Sequence, residues 1–139
     1  TQAYLELGVL FTTDPALPPR DKELTILRTG WLLGAPIIWG EHLAGGKAAG
    51  LTADDIERLT QGSAAAGWSE DDRAIVRAAE ELHFDAMISD ETWAALASRL
   101  DERQLIELPM IVGHYHMTAF MQNSLRFPPR EGNPGLAAR

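Results

Sequence analysis

Glu23-Leu24-Thr25-Ile26-Leu27-Arg28-Thr29-Gly30-Trp31-Leu32-Leu33-Gly34-Ala35-Pro36-Ile37-Ile38-Trp39-Gly40-Glu41-His42 is the stretch that decides the fold. It reads as two helical segments meeting at Gly34-Ala35-Pro36, since Gly favours helix ends and Pro favours helix starts. A carboxylate stands at one end and an imidazole at the other, with apolar residues and two tryptophans between. Brought together in an apolar pocket, such groups form a general acid/base pair. The break at 34–36 lets the second segment fold back toward the first.

Outward from this stretch the pattern stays helical. Tyr4, Leu7, Leu10 and Phe11 mark a short amphipathic helix over Ala3 to Phe11. Residues 13–19 form a connector, and Pro19 suits the first turn of the next helix. Pro36 opens a third helix that reaches Ala49-Gly50. Thr52 with Asp55 reads as an N-cap, stapled by Leu51 and Ile56. Ser69 caps a helix whose first turn holds Glu70, Asp71 and Asp72, where the dipole favours negative charge. Ile88-Ser89 with Trp93, and Asp101 with Gln104, repeat the signal. These starts predict helices near 53–61, 70–86, 90–98 and 102–125. No stretch alternates with the period of a strand, so the fold class is all-α: a compact bundle of about six to seven helices forming a single domain over 1–139.

Two segments carry further expectations. The last helix is apolar almost all round, from Leu105 to Met121, which predicts burial on every side in a core or a subunit interface. Pro109 should kink it. The tail over 127–139 is expected to be extended or disordered, or to pack on a neighbouring subunit.

The net charge of -8, from 20 acidic and 12 basic residues, argues against nucleic acid and against an anionic membrane surface. There is no cysteine, which excludes disulfides, thiolate nucleophiles and Cys-based zinc sites. No apolar run approaches the ~18 residues of a membrane span. No signal peptide is evident and the cytoplasm is the expected location. Because the chain starts at Thr1, an N-terminal piece is expected to be missing.

The candidate site residues are Glu23 and His42. The plainer reading of Glu23 is a solvated carboxylate near a helix start. That of His42 is a satisfied core histidine, although Gly45, Gly46 and Ala49 leave room beside it. Trp39 is the tryptophan placed to touch a ligand. His114 and His116 lie in the apolar last helix and need partners, because an unpaired buried polar group costs about 1–3 kcal/mol. They point to different faces, so no metal site is expected. His83 reads as a half-buried structural residue.

The frame Glu23, Ala35, Ile38, His42 resembles the signature of the alkylhydroperoxidase-D-like and carboxymuconolactone decarboxylase superfamily: Glu, eleven residues, Cys, two residues, Cys, three residues, His. Both cysteines are replaced here. Leu17-Pro18-Pro19-Arg20, Trp39-Gly40-Glu41-His42, Ala49-Gly50-Leu51-Thr52, Glu81-Leu82-His83, Ser89-Asp90-Glu91-Thr92-Trp93, Asp101-Glu102-Arg103-Gln104-Leu105 and Val112-Gly113-His114-Tyr115-His116-Met117 are similar to the cysteine-free, decarboxylase-like branch. The resemblance implies an all-α fold built into homo-oligomers, trimers or hexamers, with sites near subunit contacts. In the redox branch the Glu and His relay protons to the cysteine pair. Without thiols, peroxidase or disulfide reductase activity should be absent.

The expected function is therefore a cofactor-free, non-redox acid/base enzyme, a lyase, decarboxylase or isomerase acting on a small carboxylated or lactone-type molecule. His42 transfers the proton and Glu23 orients it. Arg28 or Arg20 holds a substrate carboxylate, while Trp39, His114 and Tyr115 complete the substrate site. The competing expectation is a non-catalytic oligomeric module that keeps the fold and binds a ligand or a protein. That reading requires His42 buried and fully satisfied, with no cavity beside it.

Overall fold

In the computed structural model, which describes residues 1–139, seven helices and a short 3-10 turn follow one another without a strand. They are α1 (Gln2–Thr13), α2 (Pro19–Leu32), α3 (Pro36–Ala48), α4 (Ala53–Gln61), α5 (Glu70–Asp85), α6 (Asp90–Ala97) and α7 (Glu102–Ser124), with the turn at Gly135–Ala137. None is long and apolar enough to cross a membrane.

α2 is the central element. Every residue from Glu23 to Gly30 is buried, and the helix packs against α3, α4, α5 and α7. Its end follows from the local sequence. Gly34 takes φ +56, so the Gly34 N–H donates to the Trp31 carbonyl and the Ala35 N–H to the Gly30 carbonyl. This paired closure satisfies carbonyls the helix leaves open and turns the chain back on itself. α3 then crosses α2 closely, because a Cβ at Gly30 would stand 2.9 Å from Ile38 Cγ2. The same closure recurs at Gly50, which ends α3.

The predicted helix starts are present. Thr52 and Asp101 form capping boxes with Asp55 and Gln104, and Ser69 and Ser89 accept from the N–H groups of Asp72 and Thr92. Leu51 and Ile56 are both buried, as a staple requires, whereas Trp93 is exposed. Ion pairs anchor α2 at its start. Asp21 accepts both guanidinium nitrogens of Arg99 at 2.8 and 2.9 Å, and Arg20 bridges Asp55 and Asp72.

One expectation is sharpened and one corrected. Within one chain α7 is covered on part of its surface: Ile106, Met110, Met117 and Phe120 are exposed along one face, while Leu108, Ile111, Val112 and Ala119 fill the core. The tail is neither disordered nor simply extended. It folds over α3, with Asn133 Nδ2 donating to the Ile37 carbonyl, Trp39 Nε1 donating to the Ala138 carbonyl, and the Arg139 guanidinium over Trp31 and Trp39. Gly40 makes this fit, since a Cβ there would overlap the Asn133 amide.

Candidate acid/base site

Glu23 enters the site from the second turn of α2, and its residue is 7% exposed. An isolated buried carboxylate is costly unless it is paired and hydrogen-bonded. Here Oε2 accepts from His42 Nδ1 at 2.9 Å, and Lys22 Nζ stands 3.8 Å from Oε1. The turn at 34–36 supplies this geometry by returning α3 antiparallel along α2. Gly45 supplies the space: a Cβ there would lie 3.1 Å from Glu23 Oε1. The glycine cluster after His42 thus serves close packing, Gly45 against Glu23 and Gly46 against Leu27 and Leu51.

The second nitrogen of His42 is also engaged. Tyr115, from α7, places its hydroxyl 3.1 Å from His42 Nε2, with the two rings edge to face. A carboxylate only accepts, so with Glu23 ionised Nδ1 carries the proton of the neutral imidazole. Nε2 then accepts from the Tyr115 hydroxyl. Burial, then the charge of Glu23 and the nearness of Tyr4 and Glu41, push Tyr115 far above the ordinary tyrosine range. The phenol stays protonated and acts as a donor. The unit is a relay, Glu23 to His42 to Tyr115, whose imidazole side chain is 24% exposed.

The other predicted residues sit apart from this relay or at its edge. Arg28 points to α4 and α5, where Nε donates to Glu80 Oε1 and Nη1 to the Leu59 carbonyl. Its charge is committed there, so it does not join Glu23 and His42. Arg20 is likewise held by Asp55 and Asp72. Trp39 is fully buried, packed against Trp31 and covered by the tail, with no face open to a ligand. His114 faces α1, stacked on Tyr4 and edge-on to Phe11. His116 turns the other way: its Nδ1 donates to the Val112 carbonyl and its Nε2 accepts from His83 Nδ1. No three potential metal ligands converge anywhere in the chain.

Sequence reasoning missed the Tyr115–His42 contact and the role of Gly45. The first links residues 73 apart, which no local pattern encodes. The second has a signal in the glycine one turn beyond His42, which reads in the sequence as room beside the imidazole and in the fold makes room for the Glu23 carboxylate.

Positions 35 and 38 are a buried Ala and a buried Ile packed in the core, so nothing thiol-like borders the relay. Comparison with known proteins agrees with this frame. No curated protein matches the chain. A solved structure from Agrobacterium tumefaciens, a protein of unknown function described as a putative antioxidant defence protein AhpD, superposes with a TM-score of 0.78. The two are 16% identical, and the match covers 92% of this chain and 88% of that one, which establishes a shared fold. The sequence model of the carboxymuconolactone decarboxylase family matches residues 2–81, a segment that holds Glu23 and His42 but not His114 or Tyr115. With more than half of its length matched, the chain belongs to the carboxymuconolactone decarboxylase family.

Proposed function

We propose that this protein is a cofactor-free acid/base enzyme, a decarboxylase or isomerase acting on a small carboxylated or lactone-type molecule. The observation that carries this reading is the Glu23–His42–Tyr115 relay in a chain with no cysteine. Glu23 holds the imidazole in one tautomer, leaving Nε2 as the basic nitrogen. Substrate displaces the Tyr115 hydroxyl from Nε2, and that hydroxyl then donates to the carbonyl oxygen beside the reacting carbon. In an isomerisation His42 takes the proton from this carbon and returns it elsewhere. In a decarboxylation His42 starts as the imidazolium, its second proton taken from solvent; the carboxylate leaves as CO2, its bonding pair passes into an enolate, and Nε2–H delivers the proton to carbon, which returns the imidazole to its neutral form. Thiol-dependent peroxidase chemistry has no residue to carry it.

The working unit of this reading is a cytoplasmic homo-oligomer, a trimer or hexamer. Support comes from the exposed apolar face of α7, since contiguous exposed apolar patches mark interaction sites. The second reading, a non-catalytic binding module, is favoured by one observation: both ring nitrogens of His42 already have partners within the chain.

The test is deuterium incorporation and CO2 release in D2O across a panel of carboxylated γ-lactones, followed by NMR. At least one member should turn over, and His42→Ala should slow it by about 10²–10⁴-fold without loss of helical circular dichroism. Full activity in His42→Ala would remove His42 from the chemistry and overturn this mechanism, whereas inertness of the whole panel with the assembly intact decides for the binding module.

A further inference from the structure

Two of the four histidines meet across a helix crossing that the acid/base reading leaves unused. His83 Nδ1, on α5, stands 2.9 Å from His116 Nε2, on α7. The next contact fixes the proton positions. His116 Nδ1 lies 2.8 Å from the Val112 carbonyl, which only accepts, so the neutral ring carries its proton on Nδ1 and leaves Nε2 bare. A ring with one nitrogen donating to a backbone carbonyl and the other free is the arrangement that orients metal-binding imidazoles.

The surroundings suit a bound ion. Phe84 stands edge-on to His83 and Phe120 edge-on to His116, so both rings have an apolar flank. Both rings are only half-buried, which leaves solvent a way in. Beside His116 lies a hollow of about 160 Å³, bordered by Leu82 and Ala86 at the end of α5 and by Pro109, Val112 and Gly113 of α7. A Cβ at Gly113 would meet nothing within 4 Å, so the approach is clear. The hollow has room for the waters that would complete a coordination sphere. Arg28 is the cation that acts on His83, and Glu80, 3.1 Å from its guanidinium, offsets that charge.

The spacing of the two nitrogens selects the ion. Nitrogens about 2.0 Å from one metal stand about 2.8 Å apart when cis on a square-planar or tetragonal centre, and about 3.3 Å apart on a tetrahedral one. The observed 2.9 Å fits the first geometry. Imidazole ligands in that geometry suit Cu(II), whereas Zn(II) prefers the tetrahedron. We propose that His83 and His116 bind one Cu(II) ion, in preference to Zn(II), with water in its remaining positions. The ion replaces the hydrogen bond between the rings. His83 gives up its Nδ1 proton to solvent and takes one at Nε2, so both ligating nitrogens present lone pairs and no net proton is released. Both rings pivot until the lone pairs converge on the ion instead of on each other, and α5 is then tied to α7. Neither ligand belongs to the relay, so this site and the acid/base reading stand or fall separately.

The test uses the whole chain, stripped of metal at neutral pH, with CuCl2 or ZnCl2 as the only addition. Equilibrium dialysis should give one tightly held Cu(II) per chain, with a tetragonal EPR spectrum split by nitrogen. Substoichiometric Cu(II) should broaden the His83 and His116 ring resonances before those of His42 and His114. Zn(II) should bind at least about tenfold more weakly. His83→Gln and His116→Gln should each weaken Cu(II) binding at least tenfold with helical circular dichroism kept. Should either variant lose its helical signal, the broadening pattern in the wild type decides alone. No saturable Cu(II) binding, broadening that spares His83 and His116, or an affinity unchanged in both folded variants overturns the site. Zn(II) held as tightly as Cu(II) overturns the choice of ion.

Discussion

Gly45 shows how much of the site rests on a single side chain. Replacing it with Ala should raise intrinsic helix stability by up to about 1 kcal/mol, since an interior Gly disfavours the helix. The new Cβ would also stand 3.1 Å from Glu23 Oε1, so the carboxylate must move by a few tenths of an ångström. The expected outcome is a melting temperature held or raised, with turnover of an active lactone acid reduced about tenfold by misalignment. An unchanged rate would show that the carboxylate position does not matter. Arg28 behaves differently. Replacing it with Ala leaves Glu80 half-buried without its cation and should cost about 3 kcal/mol by urea unfolding. At this scale Glu23 and His42 were legible in advance, because a helix break between them is a local signal. Arg28 reads as a neighbour of Glu23 because about one turn of helix separates them, yet its side chain faces α4 and α5.

The elements obey local rules that the sequence states openly. Each start from 52 onward has its capping residue, and the two turns closed by glycine sit where Gly34 and Gly50 permit φ above zero. Thr52→Ala should cost about 1 kcal/mol in a chemical melt through loss of the α4 cap. The α5–α7 contact adds a pH dependence. Burial, then His116 and Arg28, hold His83 below the ordinary histidine range. A histidine kept neutral in this way lends its full stability above about pH 6.5 and loses it as pH falls toward the folded-state value. The wild type should therefore lose stability between pH 7 and pH 5, and His83→Gln should show a shallower slope over that interval. Equal slopes in urea melts would contradict the placement of this pair.

For the whole molecule, the bundle and its class were legible, whereas the two surfaces that complete it were not. The tail docks through Asn133, Ala138 and Arg139 on partners near residues 31–40, contacts nearly a hundred residues apart that leave no periodic trace. α7 was read as apolar all round, and the pattern could not say which face the chain itself would cover. The uncovered face, from Ile106 to Phe120, is the surface assigned to self-association. Phe120→Asp should shift the protein from trimer or hexamer to monomer in light scattering with its helical content kept. A wild-type monomer at micromolar concentration would refute that assignment.

The account turns on the state of His42, and long-range ¹H–¹⁵N correlation of its ring at neutral pH reports it directly. The prediction is a protonated Nδ1 and a bare, hydrogen-bonded Nε2, with this preference weakened in Glu23→Ala. A ring protonated at Nε2 with Nδ1 bare, or a pattern indifferent to Glu23, would contradict the relay.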